Sequence, residues 1–205
     1  HYYKAVSFLN YDEYVQYFDV DEEERNEIRH IFLRVLRESG IAISDTYTNR
    51  IAWYLVLARN RIKAGFGVTR NEAKMTYVRT FGEARIAADI VAALQDVYPG
   101  FELPEEEVLA IAEILLCWND PIDHPQLPQR YPGCYQLACE LAGKIAQGLK
   151  TSWGVDLAAL PDYGRVMIPG LIPLLFCDSL NFRYSILGSH VDNNGIRYSP
   201  VCEAL

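Results

Sequence analysis

Ile51-Ala-Trp-Tyr-Leu-Val-Leu-Ala-Arg-Asn-Arg61 is the stretch on which the fold class turns, because its first eight residues are all apolar and the charges arrive only at its end. Residues 45–64 read as one helix. Ser44 stands at its N-cap, Ile51, Trp53, Tyr54, Leu55, Leu57, Ala58 and Ile62 form its body, and Gly65 stops it. A helix apolar on most of its circumference between Trp53 and Ala58 belongs at the centre of a bundle, since a surface helix keeps one polar face.

Working outward, residues 21–38 form a helix whose first turn holds Asp21, Glu22, Glu23 and Glu24, where the helix dipole favours negative charge. Ile28, Ile31, Phe32, Val35 and Leu36 repeat on one face, and Gly40 closes it. Residues 73–98 make a third helical stretch with Val78, Phe81, Ile86, Ile90, Leu94 and Val97 inward, ended by Pro99-Gly100. Pro104, at a first helical position, opens a fourth helix through Glu105, Glu106 and Glu107 into Val108, Leu109, Ile111, Ala112, Leu115 and Leu116.

Residues 119–134 carry four prolines and no helical period, and read as a linker. Beyond it, residues 135–153 repeat Leu137, Leu141, Ile145 and Leu149. Residues 162–187 form another helix, interrupted or kinked at Pro169-Gly170 and Pro173. Val191 to Tyr198, around Asn194-Gly195, reads as a small hairpin or a terminal loop. Tyr11, Tyr14, Tyr17 and Phe18 mark residues 1–20 as an aromatic N-terminal arm, helical or extended. The expected fold is therefore all-α: a bundle of about four to five helices over 21–118, the linker 119–134, and a partial second bundle over 135–205.

Half of the 205 residues are apolar, 22% are charged and 12% aromatic, as in a packed globular chain. A formal charge of −8 and a pI near 5.0 repel phosphate backbones and anionic lipid. Nucleic acid would then be reached only through a domain not present in this chain. Locally the balance reverses, because Arg50, Arg59, Arg61, Lys63, Arg70, Lys74, Arg79 and Arg85 face only Glu72 and Glu83 across residues 50–85. That segment reads either as a basic surface or as an ordinary solvated helical face. Five cysteines without Cys-x-x-Cys spacing read as reduced thiols, and no apolar run reaches a membrane span, so a cytoplasmic protein is expected.

Catalytic and metal motifs are missing from the sequence. His1, His30, His124 and His190 are not paired at ligand spacing, and neither a phosphate-binding glycine loop nor a Gly-x-Ser-x-Gly elbow occurs. No metal, no cofactor and no enzymatic activity are expected, although an all-helical enzyme with scattered site residues stays a third reading.

Leu36-Arg-Glu-Ser-Gly-Ile-Ala-Ile43 is echoed by Leu149-Lys-Thr-Ser-Trp-Gly-Val-Asp-Leu157, each a helix end, a glycine and a short apolar tether. A long apolar helix follows in both copies and ends near an arginine, Arg61 in the first and Arg183 in the second, where the spacing is about eight residues longer. Gly40-Ile-Ala-Ile-Ser44, Ile51 to Arg61, and Phe101-Glu-Leu-Pro-Glu-Glu-Glu107 follow in order within residues 21–118. In these segments the chain resembles the phosphotransferase-system regulation domains (PRD) of bacterial transcription antiterminators and activators; residues beyond 135 match only the first two helices of such a domain.

The resemblance implies a homodimeric regulatory module, linked to carbohydrate control, whose histidines are phosphorylated by phosphocarrier proteins. Carried over by position, those histidines fall at Tyr54, Ile114 and Phe176, so all three are replaced. A phenol or a hydrocarbon cannot stand in for an imidazole in a phosphorelay. The implied fold is kept and the switch is removed or moved. Tyr54 also reads as a core tyrosine with its hydroxyl satisfied, and Arg61 as an anion-binding group or the partner of an acidic helix start. A stand-alone interaction scaffold, docking through the aromatic arm, is the second reading of function.

Overall fold

The computed structural model describes residues 21–67, 71–118 and 125–180. They belong to one compact unit, Val20–Phe182, and the described residues are all-α, with no strand among them. The hairpin expected near Asn194, the N-terminal arm and Arg183 lie outside the described residues.

Helix α1, Glu22–Glu38, begins where the Asp21 side chain accepts a hydrogen bond from the Glu23 amide, and it buries Ile28, Ile31, Phe32, Val35 and Leu36. It ends in a Schellman motif. Gly40 takes φ +67°, the Ile41 amide donates to Leu36 O and the Gly40 amide to Arg37 O. Ile41 is then buried as the tether that leads into α2, Asp45–Lys63. Every residue from Ile51 to Arg59 is buried, which fits the central position expected for this helix. Ser44 holds the N-cap position, but its side chain makes no capping hydrogen bond.

The third helical stretch is two helices, α3 (Glu72–Arg79) and α4 (Gly82–Val97). The break falls where Thr80 Oγ1 donates back to Tyr77 O at 2.6 Å and Phe81 takes an extended conformation. Phe81 packs edge-on against Tyr77 and Phe176, both at 5.0 Å between ring centroids. Tertiary contacts that cannot be read from local periodicity therefore decide the interruption.

Helix α5, Glu105–Trp118, is buried almost all round, including Glu107 and Glu113. The proline-rich segment is partly helical: α6 spans Leu127–Arg130, and α7 starts at Pro132, three residues before its expected start. Proline suits these first-turn positions because the amide it lacks would have no intrahelical partner there. Leu127 and Tyr131 are buried, so this part of the segment packs into the fold.

On α7 (Pro132–Trp153) the buried row is Ala138, Ala142 and Ala146, whereas Leu137, from the expected apolar row, is exposed. Alanines four apart leave room for close approach of helix α8, Tyr163–Ser179, and the Tyr163 hydroxyl donates to Ala142 O at 2.7 Å. Gly154 closes α7 at φ +69° with its amide on Lys150 O, a simpler left-handed cap than the one at Gly40. A 3-10 turn at Leu157–Ala159 lengthens this second tether.

Helix α8 runs through Pro169 and Pro173 without interruption. Each proline leaves the carbonyl four residues earlier without its helical donor, but with the prolines four apart that loss stays on one side. Burial of Leu171, Ile172, Phe176 and Cys177 holds the helix together. The helices pack as neighbours in the pairs α1–α2, α1–α4, α4–α5, α3–α5, α2–α5 and α7–α8, with α8 also against α5.

Candidate functional site

Tyr54 and Arg61 are two turns apart, so both project from one side of α2. Opposite them stands Glu107, in the first turn of α5, where the helix dipole favours a carboxylate. The Tyr54 hydroxyl donates to Glu107 Oε2 at 2.9 Å, and Arg61 Nη2 donates to Oε1 at 2.5 Å. Glu107 is 0% exposed and Tyr54 6%. An isolated carboxylate at this depth would be strongly unfavourable, and the cation together with the phenol makes its burial tolerable.

Two further carboxylates are buried in the same manner. Glu83, in the first turn of α4, accepts from Arg130 Nη2 and from the Tyr131 hydroxyl, both at 2.5 Å and both to Oε1. Its Oε2 is buried with no hydrogen-bond partner. Glu113, inside the apolar run of α5, pairs with Lys74 of α3. The three ion pairs tie α5 to α2, α5 to α3, and α4 to the α6–α7 region.

Of the cations of residues 50–85, Arg59, Arg61 and Lys74 therefore pair with carboxylates at or near the interior, while Lys63, Arg79 and Arg85 stay at the surface. Arg59 forks onto Glu24, with one arm at 2.9 Å, Arg61 meets Glu107, Lys74 meets Glu113, and Arg79 bridges Glu72 and Glu105 at 2.8 Å each. Arg50 lies over the Tyr47 ring at 5.7 Å.

Hydrogen bonding from Arg59 holds the Glu24 carboxyl below its ordinary value of 4.5, and the same bond raises Arg59. A carboxyl depressed in the folded state stabilises fully above its unfolded pKa and loses that contribution as pH falls through the folded value. Glu24→Gln is accordingly expected to be less stable than the wild type near neutral pH, with the two urea midpoints converging as acidification carries the Glu24 carboxyl through its lowered folded-state range. A gap that stays constant with pH would disprove the linkage.

Of the other positions singled out in the sequence, Ile114 is 2% exposed inside α5 and Phe176 is 0% exposed on α8. Phe176 meets Phe81 edge-on at 5.0 Å and Tyr131 at 5.3 Å. The structure thus joins Tyr54 with Arg61 through Glu107 and places Ile114 and Phe176 in apolar packing. His30 is exposed on α1, and the other three histidines lie outside the described residues. Among the described residues no three His, Cys, Asp or Glu side chains gather as a metal site, and no helix is long and apolar enough to cross a membrane.

Sequence reasoning missed Glu113, Arg130 and Tyr131, and it counted Lys74 and Glu83 only in the charge balance of residues 50–85. A signal existed for Glu113, since a lone carboxylate within Leu109 to Cys117 has no exposed face to occupy and must find a cation. The arrangement can lock helix against helix. Comparisons with family models, with curated proteins and with solved structures find no match, so the function has to be argued from this chain's own geometry.

Proposed function

We propose that the chain is a regulatory and dimerising module of a bacterial transcription regulator, similar to the phosphotransferase-system regulation domains, in which the phosphate-accepting positions have been closed. The observation that carries this reading is the Tyr54–Glu107–Arg61 cluster. Two of the three segments that bear the resemblance meet there, at the position carried over as the first histidine and at the arginine seven residues later. The third segment supplies the Gly40 cap and buried Ile41, which set α2 against α1.

With tyrosine, isoleucine and phenylalanine at positions 54, 114 and 176, a phosphocarrier protein finds no imidazole to phosphorylate there. Signals then pass through packing between copies. Trp153 (70% exposed), Val155, Leu160 and Val166 leave uncovered apolar surface on the α7–α8 hairpin, which suits a self-complementary contact. The same surface also favours the second reading, an interaction scaffold with no transcriptional link.

Light scattering over a concentration series is expected to give a homodimer in the micromolar range, and a strict monomer at high micromolar concentration overturns the proposal. Incubation with purified phosphocarrier proteins and their phosphodonor should leave the intact mass unchanged. Stoichiometric gain of one phosphate would show that the switch is still present. An attached DNA- or RNA-binding domain in the full gene product would favour the regulator over the scaffold.

A further inference from the structure

Cys117 on α5 and Cys177 on α8 are both free thiols, 1% and 8% exposed, on two helices that pack against each other. Two routes through the structure place them side by side. Directly, the packing of α5 on α8 puts the Cys177 thiol close enough to act on that of Cys117. Indirectly, Trp118, the next residue after Cys117, stacks on Tyr47 at 5.0 Å and 18°, and the Tyr47 hydroxyl is in turn within electrostatic reach of Cys177. Phe176, the residue before Cys177, is clamped edge-on by Phe81 and Tyr131. Fifty-nine residues of chain separate the pair, including the whole proline-rich segment.

We infer that Cys117 and Cys177 are an oxidisable dithiol that closes into a reversible disulfide between α5 and α8 when the protein meets a hydroperoxide. The inference is independent of the transcriptional reading, since it needs only the two packed helices. Cys177 reacts first because it is the more accessible of the two, whereas burial and the neighbouring thiol push Cys117 up and keep it protonated. The Cys177 thiolate attacks one peroxide oxygen. An S–O bond forms, the O–O bond breaks, and the departing oxygen leaves as water or alcohol with a proton, giving a sulfenic acid. Cys117 sulfur then attacks Cys177 sulfur: the S–S bond forms, the S–O bond breaks, and hydroxide leaves with the Cys117 proton as water. In sum two thiols lose two electrons to one peroxide, and any dithiol reductant reverses the step.

A disulfide across so long a loop constrains the unfolded chain, so oxidation should raise the thermal midpoint by several degrees. The test uses the full chain carrying Cys134→Ser, Cys139→Ser and Cys202→Ser, which leaves Cys117 and Cys177 as its two cysteines. After treatment with hydrogen peroxide, alkylation under denaturing conditions and digestion, mass spectrometry is expected to find the Cys117 and Cys177 peptides joined, lighter by two hydrogens. Dithiothreitol should undo both the link and the thermal shift. In Cys117→Ser the reaction should stop at a Cys177 sulfenic acid that dimedone captures. Complete alkylation of both cysteines after peroxide, or oxidation of Cys177 to the sulfinic acid in the triple variant with no link formed, would overturn the inference.

Discussion

Arg61→Ala is expected to destabilise the protein by about 3–5 kcal/mol, because it leaves Glu107 with its charge buried and only the Tyr54 hydroxyl to answer it. Truncating the other side should cost less. In Glu107→Ala the cation that loses its carboxylate is Arg61, whose side chain keeps 11% of its surface in water, and water can take over part of the solvation. Tyr54→Phe removes one hydrogen bond to a charged acceptor, worth about 1.5–3 kcal/mol. The informative variant replaces all three at once, Tyr54→Phe with Arg61→Met and Glu107→Leu, since a buried ion pair exchanged for apolar groups of similar volume is often neutral or stabilising. Urea denaturation of the four proteins should therefore rank Arg61→Ala as the weakest and bring the triple variant back near the wild type. An Arg61→Ala protein within about 1 kcal/mol of wild type would mean that Glu107 is not committed to this pair.

The triple variant also separates structure from signalling. If the cluster only locks α2 to α5, the variant keeps the oligomeric state of the parent; if the cluster transmits a state between copies, a stable variant with altered association is the expected result. Stability and assembly have to be measured on the same preparation for this comparison to hold.

Local chemistry explains which parts of the fold the sequence disclosed. Asp21, Gly40, Pro104 and the glycine after Lys63-Ala64 act on their immediate neighbours, so the ends of α1, α2 and α5 were legible within a residue or two. The break at Phe81 was not, because Phe81 leaves the helical path for rings that lie 95 residues away at Phe176 and 50 away at Tyr131. The α7 row was misread for a related reason. Leucine outweighs alanine in any count of hydrophobicity, yet close helix packing selects the small side chains, and Leu137 is left outside. At the site, Tyr54, Arg61 and Glu107 were each visible as positions of interest. Their meeting was not, since nothing local to α2 or α5 specifies which acid an arginine 46 residues away will choose.

Phe176→Ala is the second large effect. The ring is fully buried and makes edge-to-face contacts with Phe81, at the start of α4, and with Tyr131, between α6 and α7. Deleting it removes those contacts and opens a cavity between two aromatic side chains, for an expected loss of about 3–5 kcal/mol. In a chain of this length that corresponds to a fall of roughly 10 °C in the unfolding midpoint. How the loss appears matters more than its size. Phe176 belongs to the hairpin that follows the proline-rich segment, while Phe81 belongs to the bundle that precedes it. If the two fold as one cooperative unit, calorimetry should show a single transition displaced as a whole, with the signal of Trp53 and Trp118 lost together with that of Trp153. Were the halves independent, a second transition would stay at the wild-type temperature and only the hairpin would melt early. Phe176→Leu, which keeps most of the volume and forfeits the ring geometry, should recover more than half of the loss; failure to recover it would assign the effect to the edge-on aromatic contacts rather than to the filled space.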